Sequence, residues 1–500
     1  MHCTPLSELR QNPSDLPWVV QKYGGTSVGK FLQVIASDIV PSYLETNRVT
    51  IVCSARSGET KEKGTTNQLL RAAEEALTTG SNKHLEIVKE ITADHLKAAR
   101  SVIKNPTILE KLEAQIEKDC LKLRSFLQAA EIIDEISPRS RDIIAGIGEL
   151  LSCSIVTAIL QDNGIDSQLV VLNNIIDREF TTLDQEFYDY LSQQLGDVVR
   201  QCGDKIPVLT GFFGNVPGSL LTTIGRGYTD LCAALVSVGL DAQELQIWKE
   251  VDGVFTADPR KVSDARLLPN ITPEEAAELT YYGSEVIHPF TMEQVIRAEI
   301  PIRIKNVENP AGSGTIIFPE DQKLVLEGAV STAATANDSR QKLPTAVTIK
   351  DNICVLNVHS NRKNVSHGFL AKIFATLDEY GVVVDLISTS EVHVSMALGS
   401  DMVQANLDKA IVDLEQLGTV DVLRDMAILS LVGKQMKNTV GTAGKMFTAL
   451  ASAGVNIEII SQGASEINIS CVVDKANALS AMKAIHKGLL SAEALQEAVL

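Results

Sequence analysis

From residue 18 to about 319, short apolar runs rich in β-branched side chains alternate with longer stretches whose apolar positions recur at helical spacing. Residues 18–23, 49–53, 167–172, 206–210, 244–248 and 302–304 read as strands, and 69–77, 85–127 and 148–162 as helices. Such alternation predicts an α/β sandwich around a mostly parallel sheet. Ligands of these sheets lie beyond the carboxyl ends of the strands, so residues there carry most weight.

The alternation stops near 326–345, where Ala, Ser, Thr and Asn follow one another without clear period, as in a linker. An internal repeat lies beyond it. KIFATLDEYGVVVDLIS (372–388) aligns without gaps onto KMFTALASAGVNIEIIS (445–461). The two agree at Lys372/Lys445, Phe374/Phe447, Leu377/Leu450, Gly381/Gly454, Val382/Val455, Ile387/Ile460 and Ser388/Ser461. Each copy reads as an amphipathic helix, a glycine stop and a β-branched strand. Further strands precede (355–359, 427–432) and follow (392–397, 466–472). Two strand–helix–strand–strand units are too few for a solenoid and read as a pair of small regulatory modules.

The bulk numbers narrow the class. Five hundred residues suggest two to four domains. With 63 acidic against 45 basic residues the net charge is −18, and no basic block occurs, which argues against nucleic-acid or anionic-membrane partners. No apolar run approaches the roughly 18–20 residues that a membrane span requires. The polar start of the chain does not read as a signal peptide. Eight scattered cysteines without a C-x-x-C pair read as core residues, and the eight histidines show no metal spacing. A cytoplasmic enzyme is the expectation.

Candidate chemistry begins at Lys22-Tyr23-Gly24-Gly25-Thr26-Ser27-Val28-Gly29-Lys30, which follows the first strand and precedes a helical pattern. Glycines here let backbone N–H groups and a helix N-terminus approach a phosphate. Two glycines alone read equally as an ordinary turn; the lysine at the strand end and the hydroxyls of Thr26 and Ser27 favour phosphate. The spacing nearly matches a P-loop, but Phe31 stands where that pattern needs Ser or Thr for Mg²⁺, which rejects it.

Lys-Tyr-Gly-Gly-Thr-Ser resembles the N-terminal signature of aspartate kinases in the amino acid kinase superfamily. Four further stretches agree in order: 51–58 (IVCSARSG) with Thr66-Asn67, Gly148-Glu149-Leu150-Leu151-Ser152, 222–230 (TTIGRGYTD) and 248–260 (WKEVDGVFTADPR). The match runs from 18 to about 490, and the paired repeats resemble ACT modules, which in this family bind amino-acid effectors. The pattern is similar to that of monofunctional fungal aspartate kinases. The resemblance implies a three-layer αβα sandwich of amino acid kinase type followed by two ferredoxin-like ACT modules (βαββαβ). It also implies transfer of the γ-phosphoryl group of ATP, carried with Mg²⁺, to the side-chain carboxylate of L-aspartate.

Aspartate offers two carboxylates and an ammonium, so its pocket needs a cation and an anion at opposite ends. Arg226 is suited to grip the α-carboxylate and Glu149 to take the ammonium, the roles the resemblance gives them. Taken alone, Arg226 also reads as a surface ion pair, and Glu149 as a carboxylate facing a helix dipole. Thr66, Phe212 and Thr229 match other substrate contacts of the family. A carboxylate nucleophile is ionised at neutral pH, so the task is placement and charge neutralisation. Lys22 would neutralise the γ-phosphate, and Asp230 would orient Lys22 or the metal shell, unless it only caps the helix that follows. The nucleotide contacts implied are Lys22, Gly24, Gly25, Thr26, Ser27, Lys249, Glu250, Phe255, Asp258, Arg260 and Lys305. Lys249-Glu250 replaces the Thr-Asp of many relatives, and Glu308 occupies the position of a family lysine for which Lys305 is the substitute. Asp252, Asp258 and Pro259 read equally as residues that shape the turn.

In the repeat region the effector candidates are Asp385, Ser388, Thr389, Asn456 and Gln462. Asp385 and Asn456 would grip an ammonium and a hydroxyl or carboxylate; Ser388 and Ser461 read equally as matched structural positions. Lys363 and Val365 stand before Ser366-His367-Gly368-Phe369, and a cation there disfavours a lysine ligand, so L-threonine is the expected inhibitor. The expected boundaries are 16–325 for the kinase domain, 326–344 for the linker, 351–425 for the first module, and 345–350 with 426–500 for the second. Such modules complete their sheets by pairing, which implies a homodimer or a dimer of dimers. A glutamate, acetylglutamate or carbamate kinase, a silent amino-acid sensor and an ACT-bearing transcription regulator are the alternatives. The acidic charge opposes the last, and Lys22, Glu149, Arg226 and Asp230 oppose the sensor.

Overall fold

The computed structural model describes residues 9–58, 63–214, 216–284, 286–318, 344–360, 368–399, 404–434, 436, 439–464, 467–491 and 494, with the Arg226 side chain outside the description. Residues 326–343 of the expected linker, and Lys363 to His367, lie outside the described residues. Packing divides the chain into Met1–Val254 with His288–Phe318, and Phe255–Ile287 with Pro319–Leu500.

In the first unit the strands are β1 (Trp18–Tyr23), β2 (Arg48–Cys53), β3 (Ser167–Val170), β4 (Ile206–Thr210), β5 (Glu244–Lys249), β6 (Ile302–Asn306) and β7 (Thr315–Ile317). They lie in the order β3-β4-β2-β1-β5-β6-β7, parallel throughout except for β6 against β7. Five consecutive residues of β1, of β2 and of β4 are buried, the near-continuous apolar pattern of strands covered on both faces.

Seven helices matter for the site: α1 (Gly25–Lys30), α2 (Thr65–Ala76), α3 (Lys83–Val102), α4 (Pro106–Ile133), α5 (Pro138–Asp162), α6 (Gln185–Arg200) and α7 (Tyr228–Leu240). The single helix expected over 85–127 is two. Asn105 accepts from the Thr107 N–H at 2.9 Å, and Pro106, which has no N–H to give, starts the second. Helix α5 likewise begins well before the expected 148, at Pro138, with the Ser137 hydroxyl accepting from the Ser140 N–H at 3.1 Å. This corrects the sequence reading that no run is apolar enough to span a membrane. By length and mean hydropathy (2.1) α5 qualifies, but 83% of its most apolar window is buried inside the fold, so it is a core helix. The seven described cysteines are buried and free.

The second unit is built on two long strands, β8 (Ala346–Ser360) and β11 (Gly418–Val432), paired antiparallel along their whole length. Both break register near their middle, where Asn352 and Asp425 take φ of 59° and 57°. Strands β9 (Val384–Thr389) and β10 (His393–Gly399) extend the sheet beside Ile353 to His359 of β8, and β12 (Ile459–Ser461) and β13 (Asn468–Asp474) extend it beside β11. Ala346 to Lys350 pair with Val432 to Ile428, so the first residues of β8 contribute to the half that contains the second repeat. The repeat helices Phe369–Glu379 and Thr442–Ser452 each follow a glycine in the left-handed region.

Phe255–Ile287 packs with this second unit, unlike the continuous domain expected over 16–325. The Val347 N–H donates to the Thr256 carbonyl at 2.8 Å. Buried Glu275 accepts from the Thr345 hydroxyl at 2.6 Å and from the Lys434 N–H at 2.9 Å. Ala257 and Val262 join the apolar cluster of the second repeat.

Candidate active site

The site forms where β1, β2 and β4 end. Lys22 is buried near the end of β1, and its ammonium lies 2.7 Å from Oδ1 of Asp230 in the first turn of α7. Gly24 and Gly25 then turn the chain into α1. The turn is closed by the second loop: the Ser57 N–H donates to the Gly25 carbonyl at 2.9 Å. A Cβ on Gly25 would stand 2.5 Å from the Ala55 carbonyl oxygen, so no larger residue fits this approach.

Glu149 sits on α5 and is 1% exposed. Its carboxylate accepts from the Thr229 hydroxyl at 2.8 Å and from the Phe212 backbone N–H, and the Tyr228 hydroxyl also donates to it. Burial pushes its pKa up to about 7, against the opposing pull of those hydrogen bonds and of the Lys22 charge. Thr66 lies in the first turn of α2, and Phe212 just beyond β4. A cavity of about 160 Å³ opens on these groups, lined by Ser54–Ser57, Gly64–Asn67, Glu149, Leu221, Tyr228 and Thr229. It therefore unites Thr66, Glu149 and Thr229, three expected substrate contacts. Phe212 joins them through its backbone N–H, not its ring, which is buried against Gly146 of α5. Arg226 lies in the one-turn 3-10 helix Gly225–Gly227 leading into α7, and its side chain lies outside the described atoms.

The nucleotide candidates divide. Gly24, Gly25 and Thr26 are half-buried at the turn. Ser27 is fully buried, and its hydroxyl donates to Oε1 of Glu250 at 2.7 Å, tying the glycine turn to the loop after β5. Lys249 is half-buried at the end of β5, where its carbonyl accepts from the Val307 N–H at 2.8 Å. Lys305 is buried: its ammonium is 3.2 Å from the Tyr43 hydroxyl and 5.2 Å from the centre of the Trp248 ring, and burial holds its pKa below the usual lysine value. The aromatic partner Tyr43 carries no motif and is missed by sequence reading. Asp252 accepts from Asn306 and Asn309 at 3.0 and 3.1 Å and shapes its turn.

Phe255, Asp258 and Arg260 belong to the second unit. Phe255 bridges to Leu267, and Arg260 chelates the Asp258 carboxylate with two contacts of 3.0 Å. Partial burial works to raise the Asp258 pKa, but Arg260 and Lys261 outweigh it and hold the carboxyl below the usual range.

Among the effector candidates, Asp385 faces Lys350, whose ammonium is 2.6 Å from its Oδ1. Ser388 and Thr389 are exposed at the end of β9, Asn456 is exposed and donates to Glu458 at 2.8 Å, and Gln462 is exposed. Leu386 of β9 and Ile459 of β12 share one apolar cluster, which brings the two repeats together between their strands.

Comparison with known proteins identifies the family and the fold. The model of the amino acid kinase family matches residues 17–306, and that of the ACT domain matches 429–489. The aspartokinase of Schizosaccharomyces pombe is 56% identical over 97% of this chain and 95% of its own length. That of Saccharomyces cerevisiae is 50% identical over 97% of this chain and 95% of its own. Among solved structures, E. coli aspartokinase III in complex with aspartate and ADP aligns with a TM-score of 0.72 at 26% identity, over 95% of this chain and all of that one. The same enzyme with lysine and aspartate aligns at 0.73. The chain belongs to the aspartokinases of the amino acid kinase family.

Proposed function

We propose that the chain transfers the γ-phosphoryl group of ATP to the β-carboxylate of L-aspartate, giving 4-phospho-L-aspartate, under feedback by L-threonine. The observation that carries the reading is the meeting of two buried groups at the strand ends: the Glu149 carboxylate, and the Lys22 ammonium with Asp230. Glu149 takes the substrate ammonium and Arg226 its α-carboxylate, which leaves the β-carboxylate free to approach the glycine turn. The nucleotide enters as its magnesium complex. A β-carboxylate oxygen forms the new bond to the γ-phosphorus as the bond to the ADP oxygen breaks, and Lys22 neutralises the charge on the phosphoryl oxygens. No proton has to move, because the nucleophile is already ionised. The product is a reactive acyl phosphate whose survival requires water to be kept out.

The effector reading rests on Asp385, a carboxylate able to hold an effector ammonium, with Ser388, Thr389, Asn456 and Gln462 as the other contacts. Strand β9 is the edge of its sheet, which favours pairing with a second copy as a homodimer or a dimer of dimers. Placement of the product at the head of threonine, methionine and isoleucine synthesis belongs to the same reading.

A coupled assay of ADP release, with L-aspartate, L-glutamate and N-acetyl-L-glutamate, each with and without L-threonine or L-lysine, tests it. Turnover confined to aspartate and suppressed by threonine supports both halves. Suppression by lysine alone overturns the effector assignment, and the absence of turnover with every substrate overturns the kinase.

A further inference from the structure

Asp142 lies on α5, two helical turns before Glu149, so both carboxylates project from one face of the same helix about 10 Å apart along its axis. It is 1% exposed, and among the described residues three donors from one short segment hold it. Oδ1 accepts from the Ser219 hydroxyl at 2.9 Å and the Leu221 N–H at 3.1 Å, and Oδ2 from the Leu220 N–H at 2.6 Å. Leu220 and Leu221 open the short helix Leu220–Thr223, whose orphan N–H groups an anion satisfies.

The segment is also strained. Ser219 takes φ 141°, a region an L side chain rarely occupies, while its hydroxyl bonds to Asp142 and caps the Thr222 N–H at 3.3 Å. Gly218 before it and Gly225 after it have φ of 84° and 79°. A backbone held in such conformations persists only where the surroundings over-determine it, and Asp142 supplies that restraint. From here the chain passes directly into Gly225–Gly227, which carries Arg226, and then into Tyr228 and Thr229, which both donate to Glu149.

We propose that Asp142 is a positioning residue that sets the length of the amino-acid site. On the reading that Glu149 takes the ammonium and Arg226 the α-carboxylate, one rigid helix fixes both ends of the grip. Glu149 holds one end directly, and Asp142 fixes the other by anchoring the segment that carries Arg226. Loosening that anchor degrades binding of L-aspartate and relaxes discrimination against L-glutamate, whose chain is one methylene longer, without touching the nucleotide.

The test compares the parent with Asp142→Asn, in which an amide N–H₂ faces donors, and with Ser219→Ala, which removes one donor and leaves the carboxylate in place. KM for L-aspartate, KM for ATP, kcat, the glutamate-to-aspartate ratio of kcat/KM and the melting temperature are read for each. Asp142→Asn is expected to raise KM for aspartate at least about tenfold, the usual cost of a lost hydrogen bond to a buried charge, with KM for ATP within twofold. Ser219→Ala is expected to shift the same constants in the same direction by less, which keeps the test alive if Asp142→Asn fails to fold. Equal changes in both KM values, or a lowered melting temperature with aspartate KM and selectivity unchanged in the folded variants, overturn the proposal. A parent that does not turn over aspartate overturns the kinase reading instead.

Discussion

The Lys22 ammonium lies 2.7 Å from Oδ1 of Asp230, and this pair joins the end of β1 to the first turn of α7 beneath the glycine turn. The lysine side chain is 10% exposed, so its charge acts with little solvent screening. Lys22→Met keeps the length and removes the charge, and is expected to lower kcat by about two to three orders of magnitude, as loss of a preorganised transition-state donor does elsewhere. Asp230→Asn keeps the shape and removes the countercharge, and is expected to lower kcat by about tenfold. Steady-state kinetics on folded variants checks both; kcat within twofold of the parent in Lys22→Met would remove the lysine from the chemistry.

Glu149 gives a pH signature. A carboxyl with a pKa of about 7 is protonated in much of the free enzyme below neutrality, and a neutral acid does not attract an ammonium. kcat/KM for aspartate is therefore expected to fall as pH drops through 7, while kcat, which reports the complex, falls at lower pH because the bound ammonium favours the charged carboxylate. Identical profiles for the two constants would contradict the assignment.

The same raised pKa has a stability consequence of definite sign. Folded Glu149 holds its proton to higher pH than it does in the unfolded chain, so the native state binds the extra proton between the ordinary carboxylate range and pH 7. That contribution to stability is complete below the unfolded value and lost as pH rises through 7. The cost of ionising the buried group is of the order of 3 kcal/mol. Glu149→Gln lacks this cost, so its melting temperature is expected to exceed the parent's at pH 8 by more than at pH 5.5, although the variant binds aspartate poorly. A gap independent of pH would show that the carboxylate is not strained by its burial.

Much of this arrangement was legible in the sequence because it rests on short local patterns. Lys22 follows a strand and precedes two glycines, so its place at a sheet end could be read from the pattern; Glu149 was reached only through the resemblance carried by Gly148–Ser152, and it stands in the middle of α5, not at a helix start. What escaped reading depends on contacts between distant segments. Asp142 looks like any helical acid until Ser219 and Leu220 are brought against it. Lys305 looks like a free cation until Tyr43 and Trp248 enclose it. Phe255–Ile287 has no composition break to mark that it packs with the second unit; that packing is made by residues distant in sequence, as where the Val347 N–H meets the Thr256 carbonyl. The start of α5 was missed for another reason: the apolar periodicity is weak there, and the cap at Ser137 and Pro138 carries the signal.

On the proposed role of the loop after β5 in holding the nucleotide, the Ser27–Glu250 hydrogen bond offers a test that separates nucleotide from amino-acid effects. Ser27 is fully buried, so Ser27→Ala removes the 2.7 Å bond to Glu250, and the 3.3 Å one to the Trp248 carbonyl, without exposing new surface. KM for ATP is expected to rise by about fivefold to tenfold, with KM for aspartate unchanged. If both constants move together, Ser27 supports the glycine turn as a whole and not the nucleotide loop.

Lys350 and Asp385 make the regulatory reading testable from the opposite direction. The lysine ammonium already sits 2.6 Å from the carboxylate that the effector ammonium would use, and both side chains are partly exposed, at 30% and 17%, so exchange between the two cations is open to solvent. An effector that uses Asp385 must displace Lys350, and the internal cation weakens effector binding by the share of time it occupies the carboxylate. Lys350→Met removes the competitor while preserving the apolar stem. The L-threonine concentration for half-inhibition is expected to fall several-fold, with kcat and both substrate KM values unchanged in its absence. Asp385→Asn is expected to shift the same concentration upward. A Lys350→Met protein that needs as much threonine as the parent, or more, would place the effector ammonium elsewhere in the second unit.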